Sequence, residues 1–495
     1  MINKSLWLKG IKVSKMTSLK ETTYTDVLII GGGITGISCA YHLKESKLRI
    51  TIIDSGRVGH GVTANTTGKL TYLQDNTLGM IDIIYGNKYV DNYIKSQHDA
   101  IGIVKDIIID NNINCNFESN SSYLYTVNKS EISKIKNIEK ILKKNNIPYK
   151  KRDFMPIKFP YEYGIKVEDT AVFHPLKYVM ALREIVERSG VNIYEKTKAT
   201  SFEKVPNGYM VIANGVKIFA KKLVIACHYP FFNVPYLMPF KTYLEKSYLT
   251  AGIIDKNRKF NAINIDKETH SIRYYSDNQD YLIYCSESRK LGKNMSDIDN
   301  YANICWKAKA NLMPDIKYCW FNYDLMTLDG LPIIGCLEKD NPDLLIGTGY
   351  NTWGMTNGSI AGKVLSDLIQ GKPNDYSEIF DPHRKFSVMK LFNGINFSIK
   401  NLSTLVLSKF ITNDDRTNNR VHIIEEKGVK YGVYIDDDKK IHKVLNVCPH
   451  MKCNLNFNFV DKTWDCPCHG SRFDIDGNVV KGPSFCSIKV EKKIK

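Results

Sequence analysis

The chain has 495 residues, 43% of them hydrophobic, and a formal net charge of +17. That length exceeds what one core usually holds, so two or three domains are expected. The basic balance admits a solvated Lys-rich surface, an anionic membrane surface or an acidic partner. Nucleic acid is not expected as a partner, because the sequence has neither a long consecutive Lys/Arg block nor a nucleic-acid motif.

No apolar run is long enough for a spanning helix. Met1 to Glu21 lacks a cleavage-site pattern, so a cytoplasmic location is expected. Five of the twelve cysteines fall between Cys448 and the end of the chain. The rest are scattered singly, as buried thiols in a reducing compartment are.

Residues 1–23 read as a polar lead-in. Asp26 to Ile30 reads as a buried strand, with four uninterrupted apolar residues after the acid, and runs into G31-G-G33-I-T-G36. Ile37 to Lys44 has helix-compatible spacing, and a second strand, Leu48 to Ile53, ends on Asp54. This strand, glycine turn, helix and strand with a terminal acid form a dinucleotide-binding pattern. Gly31 permits the tight turn, Gly33 lets the backbone approach a pyrophosphate, and Gly36 lets the helix pack on the strand. The helix N-terminus at Ile34 and Thr35 offers amide donors to phosphate. Asp54 is placed to bond a ribose hydroxyl.

The stretch Gly56 to Gly68 is rich in small and hydroxyl residues and reads as a long loop lying along an extended cofactor. It resembles the segment that follows the flavin in FAD-dependent oxidoreductases of the D-amino-acid oxidase superfamily, which makes Thr63, Thr66 and Thr67 candidate contacts. Residues 80–112 and 131–145 read as helices, and 113–127 and 152–170 as short strands of an inserted domain. A helix from Tyr178 to Ser189 and a strand at Val191 to Tyr194 then lead to Thr197-Lys-Ala199. In the resemblance the Ala199 backbone lies by the adenine. Short alternating runs over 240–320 fit an antiparallel sheet. One of them carries Arg273, which the resemblance makes a candidate for binding a substrate carboxylate. Thr327 to Gly335 resembles the family's entry into the flavin site. Leu344 to Gly358 resembles its final strand, turn and helix, with Gly349, Trp353, Gly354, Met355 and Thr356 at the flavin's polar edge.

After Gly371-Lys-Pro373, residues 374–415 form a connector. It reads as a strap packed on the preceding domain or as a basic amphipathic segment making peripheral membrane contact. From Val421 short strands lead to C448-P-H450-M-K-C453 and C466-P-C468-H469-G-S471. Two Cys and two His on two loops suit one zinc ion or a [2Fe–2S] cluster. Zinc sites pair like with like, whereas each loop here carries one Cys and one His.

The loops and their surroundings resemble the Rieske family. By that resemblance Cys448 and Cys466 bind one iron and His450 and His469 the other. Cys453 and Cys468 form a disulfide, Ser471 bonds a bridging sulfide, and Gly482-Pro483 covers the cluster. Phe473 stands where high-potential members carry a Tyr that donates to a ligand sulfur. An intermediate potential within roughly −150 to +300 mV is therefore expected.

The two resemblances together imply an α/β FAD-binding Rossmann-type domain with an inserted α+β substrate domain, plus a C-terminal all-β Rieske domain. The expected boundaries are a lead-in 1–23, an FAD-dependent oxidoreductase 24–372, a connector 373–415 and a Rieske domain 416–495. Within the second, flavin-binding parts are expected at 24–80, 171–238 and 321–372, and the substrate domain at 81–170 and 239–320. The implied cofactors are FAD and a [2Fe–2S] cluster. The implied chemistry is hydride transfer from an amine or amino-acid-like small molecule to the flavin. The electrons would then pass singly through the cluster to an unidentified protein or quinone. The alternatives are a reductase running from cluster to flavin and a non-enzymatic redox sensor.

Overall fold

The computed structural model describes residues 4–11, 16–151, 160–229, 241–255, 260–290, 297–339, 341–385, 420–450, 452–459, 461–468, 470–481, 484 and 486–490. The Lys/Leu-rich part of the connector, from 386 onward, lies outside them, as do His469 and Gly482-Pro483.

Two large sheets organise the first three-quarters of the chain. Thr23–Ile30 is the centre of an eight-stranded sheet. It runs parallel to Ile50–Ile53 on one side and to Val216–Ile225 on the other. The parallel set is extended outward by Asn192–Tyr194 and Leu344–Thr348. Val27, Leu28 and Ile29 have no exposed surface, as a strand covered on both faces requires. Helices Ile34–Leu43 and Gly354–Ile369 pack on each other across one face, and Pro175–Arg188 packs on the first of them.

The second sheet has nine strands. Asp315–Thr327, Thr242–Ile253, Asp280–Lys290, Ser271–Ser276 and Phe260–Asn264 pair antiparallel in that order. Phe260–Asn264 then runs parallel to Glu118–Thr126. The chain crosses between the sheets repeatedly, so neither folds from one continuous segment. Asp315–Thr327 belongs to the second sheet along its whole length. The return to the first sheet therefore follows Thr327 rather than residue 320. The short strand Lys69–Leu70 also joins the second sheet, inside a segment expected to be purely flavin-binding.

The helical stretch read as 80–112 is two helices, Thr77–Tyr85 and Asn87–Asp110. Gly86 breaks it with a φ of +82°, a conformation that side chains other than glycine's disfavour. The polar lead-in is also more than a tail. Trp7 is fully buried, edge-on to His174 and Tyr275 at centroid distances of 4.9 Å.

Among the described residues the regular structure of the C-terminal region is all strand: a three-stranded sheet, Val421–Glu426, Val429–Ile435 and Ile441–Leu445, and a four-stranded one from Asn456 to Lys481. Trp464 and Phe473, both fully buried, fill its core beside Cys448 and Cys466.

Candidate active site and cluster loops

A cavity of about 310 Å³ opens at the C-terminal ends of the parallel strands, where ligands bind in open α/β sheets. Its floor includes Gly31, Gly33, Ile34 and Thr35. A Cβ on Gly31 would lie 2.6 Å from Ala226 O, and one on Gly36 would lie 2.0 Å from Gly31 O. Only bare backbone fits there, as a phosphate cradle demands. Gly36 serves the packing and does not itself line the cavity.

Asp54 lines one end of the cavity. Its Oδ2 accepts from Gly32 N at 2.8 Å and its Oδ1 from Gly56 N at 2.7 Å. Burial pushes its carboxyl up from the usual range. Ala199 lies near this end with Lys198. Thr63 lines the middle, where its Oγ1 accepts from Ile34 N at 3.2 Å.

The loop from Ala64 to Gly68 is fixed from outside. Ser5 Oγ donates to Ala64 O at 2.6 Å, Trp320 Nε1 to Asn65 O at 3.0 Å and Trp7 Nε1 to Thr66 O at 2.6 Å. Arg273 donates to Thr67 O, to Gly68 O at 2.9 Å and to Phe173 O at 2.8 Å. Five consecutive carbonyls are thus drawn away by side chains. Thr66 remains on the cavity wall, whereas Thr67 does not.

This overturns the expectation for Arg273. It has no exposed surface and does not line the cavity. Its guanidinium, stacked 4.9 Å from the Trp7 ring, is committed to backbone carbonyls and not to a substrate carboxylate.

Gly354 and Met355 line the far end, at the start of the helix Gly354–Ile369. Gly349, Trp353 and Thr356 stand behind it. Gly349 makes the turn at a φ of +72°, with Thr327 Cγ2 only 2.7 Å from where its Cβ would be. Trp353 precedes the helix and is buried, and Thr356 Oγ1 accepts from Thr71 N at 3.4 Å.

Three parts of the wall carry no residue of the predicted contact set. Cys227, His228 and Tyr229 continue out of the strand Val216–Ile225. Leu244, Asn322, Tyr323 and Asp324 come from the edge of the second sheet, and Gly470 comes from the C-terminal domain. The tertiary meeting of three separate segments places them, so no local spacing signals it.

The cluster loops are two similar turns. Cys448 N donates to Cys453 O at 2.8 Å, and Cys466 N to Ser471 O at 2.7 Å. Lys452 N returns to Cys448 O at 2.9 Å, and Gly470 N to Cys466 O at 3.0 Å. Cys453 and Cys468 form a disulfide that ties the turns together. Cys448 and Cys466 stay outside the disulfide, buried to 0% and 1% exposure, and His450 is half-buried on the first turn. Ser471 Oγ accepts from Ser484 N at 2.9 Å, which leaves its own proton to donate. Removing two cysteines into a disulfide leaves one buried thiol and one His per turn in the sequence, the donor set of a [2Fe–2S] centre with mixed ligands.

The glycine cradle, the acid at one end and the helix start at the other fit an extended dinucleotide. Residues 26–368 match the family model for FAD dependent oxidoreductases, and residues 409–491 match that for the Rieske [2Fe-2S] domain. The Bacillus subtilis Rieske 2Fe-2S iron-sulfur protein YhfW is 30% identical over 98% of this chain and 96% of its own. The gamma-glutamylputrescine oxidoreductase of Escherichia coli is 21% identical over 76% of this chain and 91% of its own. In structure the chain is similar to glycine oxidase from Geobacillus kaustophilus, with a TM-score of 0.61 at 15% identity, covering 74% of this chain and all of that one. The chain therefore belongs to the FAD-dependent oxidoreductases, an enzyme that carries FAD in its first domain and a Rieske [2Fe–2S] cluster in its last.

Proposed function

We propose that the enzyme oxidises an amine by hydride transfer to the flavin and that the electrons leave singly through the cluster to an external acceptor. Bound FAD supplies a two-electron acceptor, and the cluster supplies a one-electron carrier. The observation that carries this reading is the shared cavity. Its walls come from the glycine motif, from the edge of the second sheet and, at Gly470, from the cluster loop.

The second sheet supplies the recognition chemistry. Asp324 sits on the wall with Asn322 beside it. Glu245 pairs directly opposite Asp324, so both carboxylates leave the same face of the sheet. Two neighbouring acids favour a cation between them. Among the described residues that line the cavity, Lys198 is the one Lys or Arg, and it belongs with Asp54 to the opposite end. A substrate ammonium therefore fits the Asp324 end better than a free carboxylate. The E. coli relative, by its name, acts on a substituted putrescine, which agrees with an amine.

Anaerobic titration with a panel of amines and amino acids tests this. An amine should bleach the flavin, and the absorption of the reduced cluster should follow. No bleaching across the panel, or bleaching with the cluster left oxidised, would count against the reading. Asp324→Asn should raise KM for the responding amine by about tenfold to a hundredfold, the worth of a hydrogen bond to a charged group, with a smaller effect on kcat. An unchanged KM would remove Asp324 from the site.

A further inference from the structure

We propose that Tyr229 is the contact that couples the flavin cavity to the cluster, which rests on the reading that electrons pass between the two centres. Tyr229 lies just beyond the end of the strand Val216–Ile225 and lines the cavity. On its other side its ring stands perpendicular to the His450 ring, at an interplanar angle of 90° and a centroid distance of 6.3 Å. One side chain thus borders both the space for the flavin and an imidazole of the cluster set.

The docking of the cluster domain holds this contact in register. Gly470 of the second cluster turn lines the same cavity. Two residues on, the Arg472 guanidinium lies 5.2 Å from the Phe321 ring centroid, a cation–π contact. Arg472 is oriented from behind by Asp461 at 2.7 Å and Asp465 at 3.0 Å. Phe321 immediately precedes the wall residues Asn322 to Asp324. The substrate wall and the cluster domain are therefore pinned to one strand.

Tyr229 acts here as a closed-shell bridge. Its packed ring replaces a gap that would otherwise weaken electronic coupling between the centres. Each electron that crosses converts one ferric iron of the cluster to ferrous. Two must cross in succession, with a one-electron acceptor reoxidising the cluster between them. The proton left from the hydride goes to solvent.

The test uses the holoprotein. The flavin is photoreduced by a light pulse with EDTA as the sacrificial electron donor in place of substrate, and electron arrival at the cluster is followed by absorption. Tyr229→Phe, which keeps the ring, should transfer as fast as wild type. Tyr229→Leu should be slower by at least an order of magnitude, with the cluster's EPR signal and midpoint potential unchanged. Wild-type transfer matched by an equally fast Tyr229→Leu would overturn the contact alone. A wild-type cluster that stays oxidised after flavin photoreduction would overturn the relay and the contact together. A second measurement does not depend on the leucine variant folding. In protein with ring-deuterated tyrosine, electron–nuclear double resonance of the reduced cluster should show a deuterium coupling that Tyr229→Phe removes. A spectrum identical in the two would overturn the proposal.

Discussion

At the scale of single residues, the interior holds charges that the catalytic reading does not use, and Lys69 is the clearest. It is 4% exposed, and its Nζ donates to Ala262 O at 2.9 Å and Ser271 Oγ at 2.7 Å, both neutral. Burial depresses its pKa to about 7, with Arg273 pushing the same way and Cys285 opposing. In the unfolded chain a Lys titrates near ~10.4. Between those values the unfolded state holds a proton that the folded state lacks, so stability rises with pH. The slope from this one group is about 1.4 kcal/mol per pH unit. The contribution is lost as pH falls through the folded value. Denaturant unfolding of wild type and Lys69→Met at pH 7, 8 and 9 should show the wild type gaining on the variant at each step. Parallel curves would mean that Lys69 stays charged in the fold.

At the scale of elements, what could be read from the chain follows from how local the cause is. The glycine turn was legible because Gly31, Gly33 and Gly36 act on their own neighbours within one strand–helix unit. The paired turns around Cys448 and Cys466 were legible for the same reason. Arg273 was misread because its partners, Thr67, Gly68 and Phe173, are remote in sequence and the guanidinium could serve carbonyls as well as a substrate. Trp7 was invisible for a similar reason: an apolar run of three residues gives no hint of a pocket formed by His174 and Tyr275. Arg384 also depends on remote partners. Its Nε and Nη2 reach Asp329 at 2.7 and 2.9 Å, and further N–H groups reach Leu331 O and Pro332 O. Both side chains of the pair are 5% exposed. The pair ties the segment after the last flavin-domain helix to the chain entering the flavin site. Arg384→Met should lower stability by about 3–5 kcal/mol, because Asp329 keeps a buried charge without its cation. Adding Asp329→Asn should restore part of the loss. Thermal unfolding of the single and double variants checks this, and a single variant as stable as wild type would refute it.

At the scale of the whole molecule, the proposed direction of electron flow depends on the cluster's potential relative to the flavin's, and the side chain at position 473 offers a test of that potential. It lies in the strand Arg472–Asp474, with no exposed surface, in the core that also contains Cys448, Cys466 and Trp464. The same strand carries Arg472, which lies against Phe321, so position 473 is next to the contact between the two domains. A phenylalanine offers no donor to a ligand sulfur. A hydrogen bond to sulfur stabilises the more negative, reduced cluster and raises the potential. Phe473→Tyr should therefore raise the midpoint and favour flow from flavin to cluster. A redox titration monitored by EPR reads the shift. Thermal stability reads whether the new hydroxyl has found a partner, because a buried hydroxyl without one costs about 1–3 kcal/mol. A raised midpoint with stability kept places the hydroxyl on a ligand sulfur. A lower or unchanged midpoint with lost stability would show that position 473 faces the core and does not control the cluster.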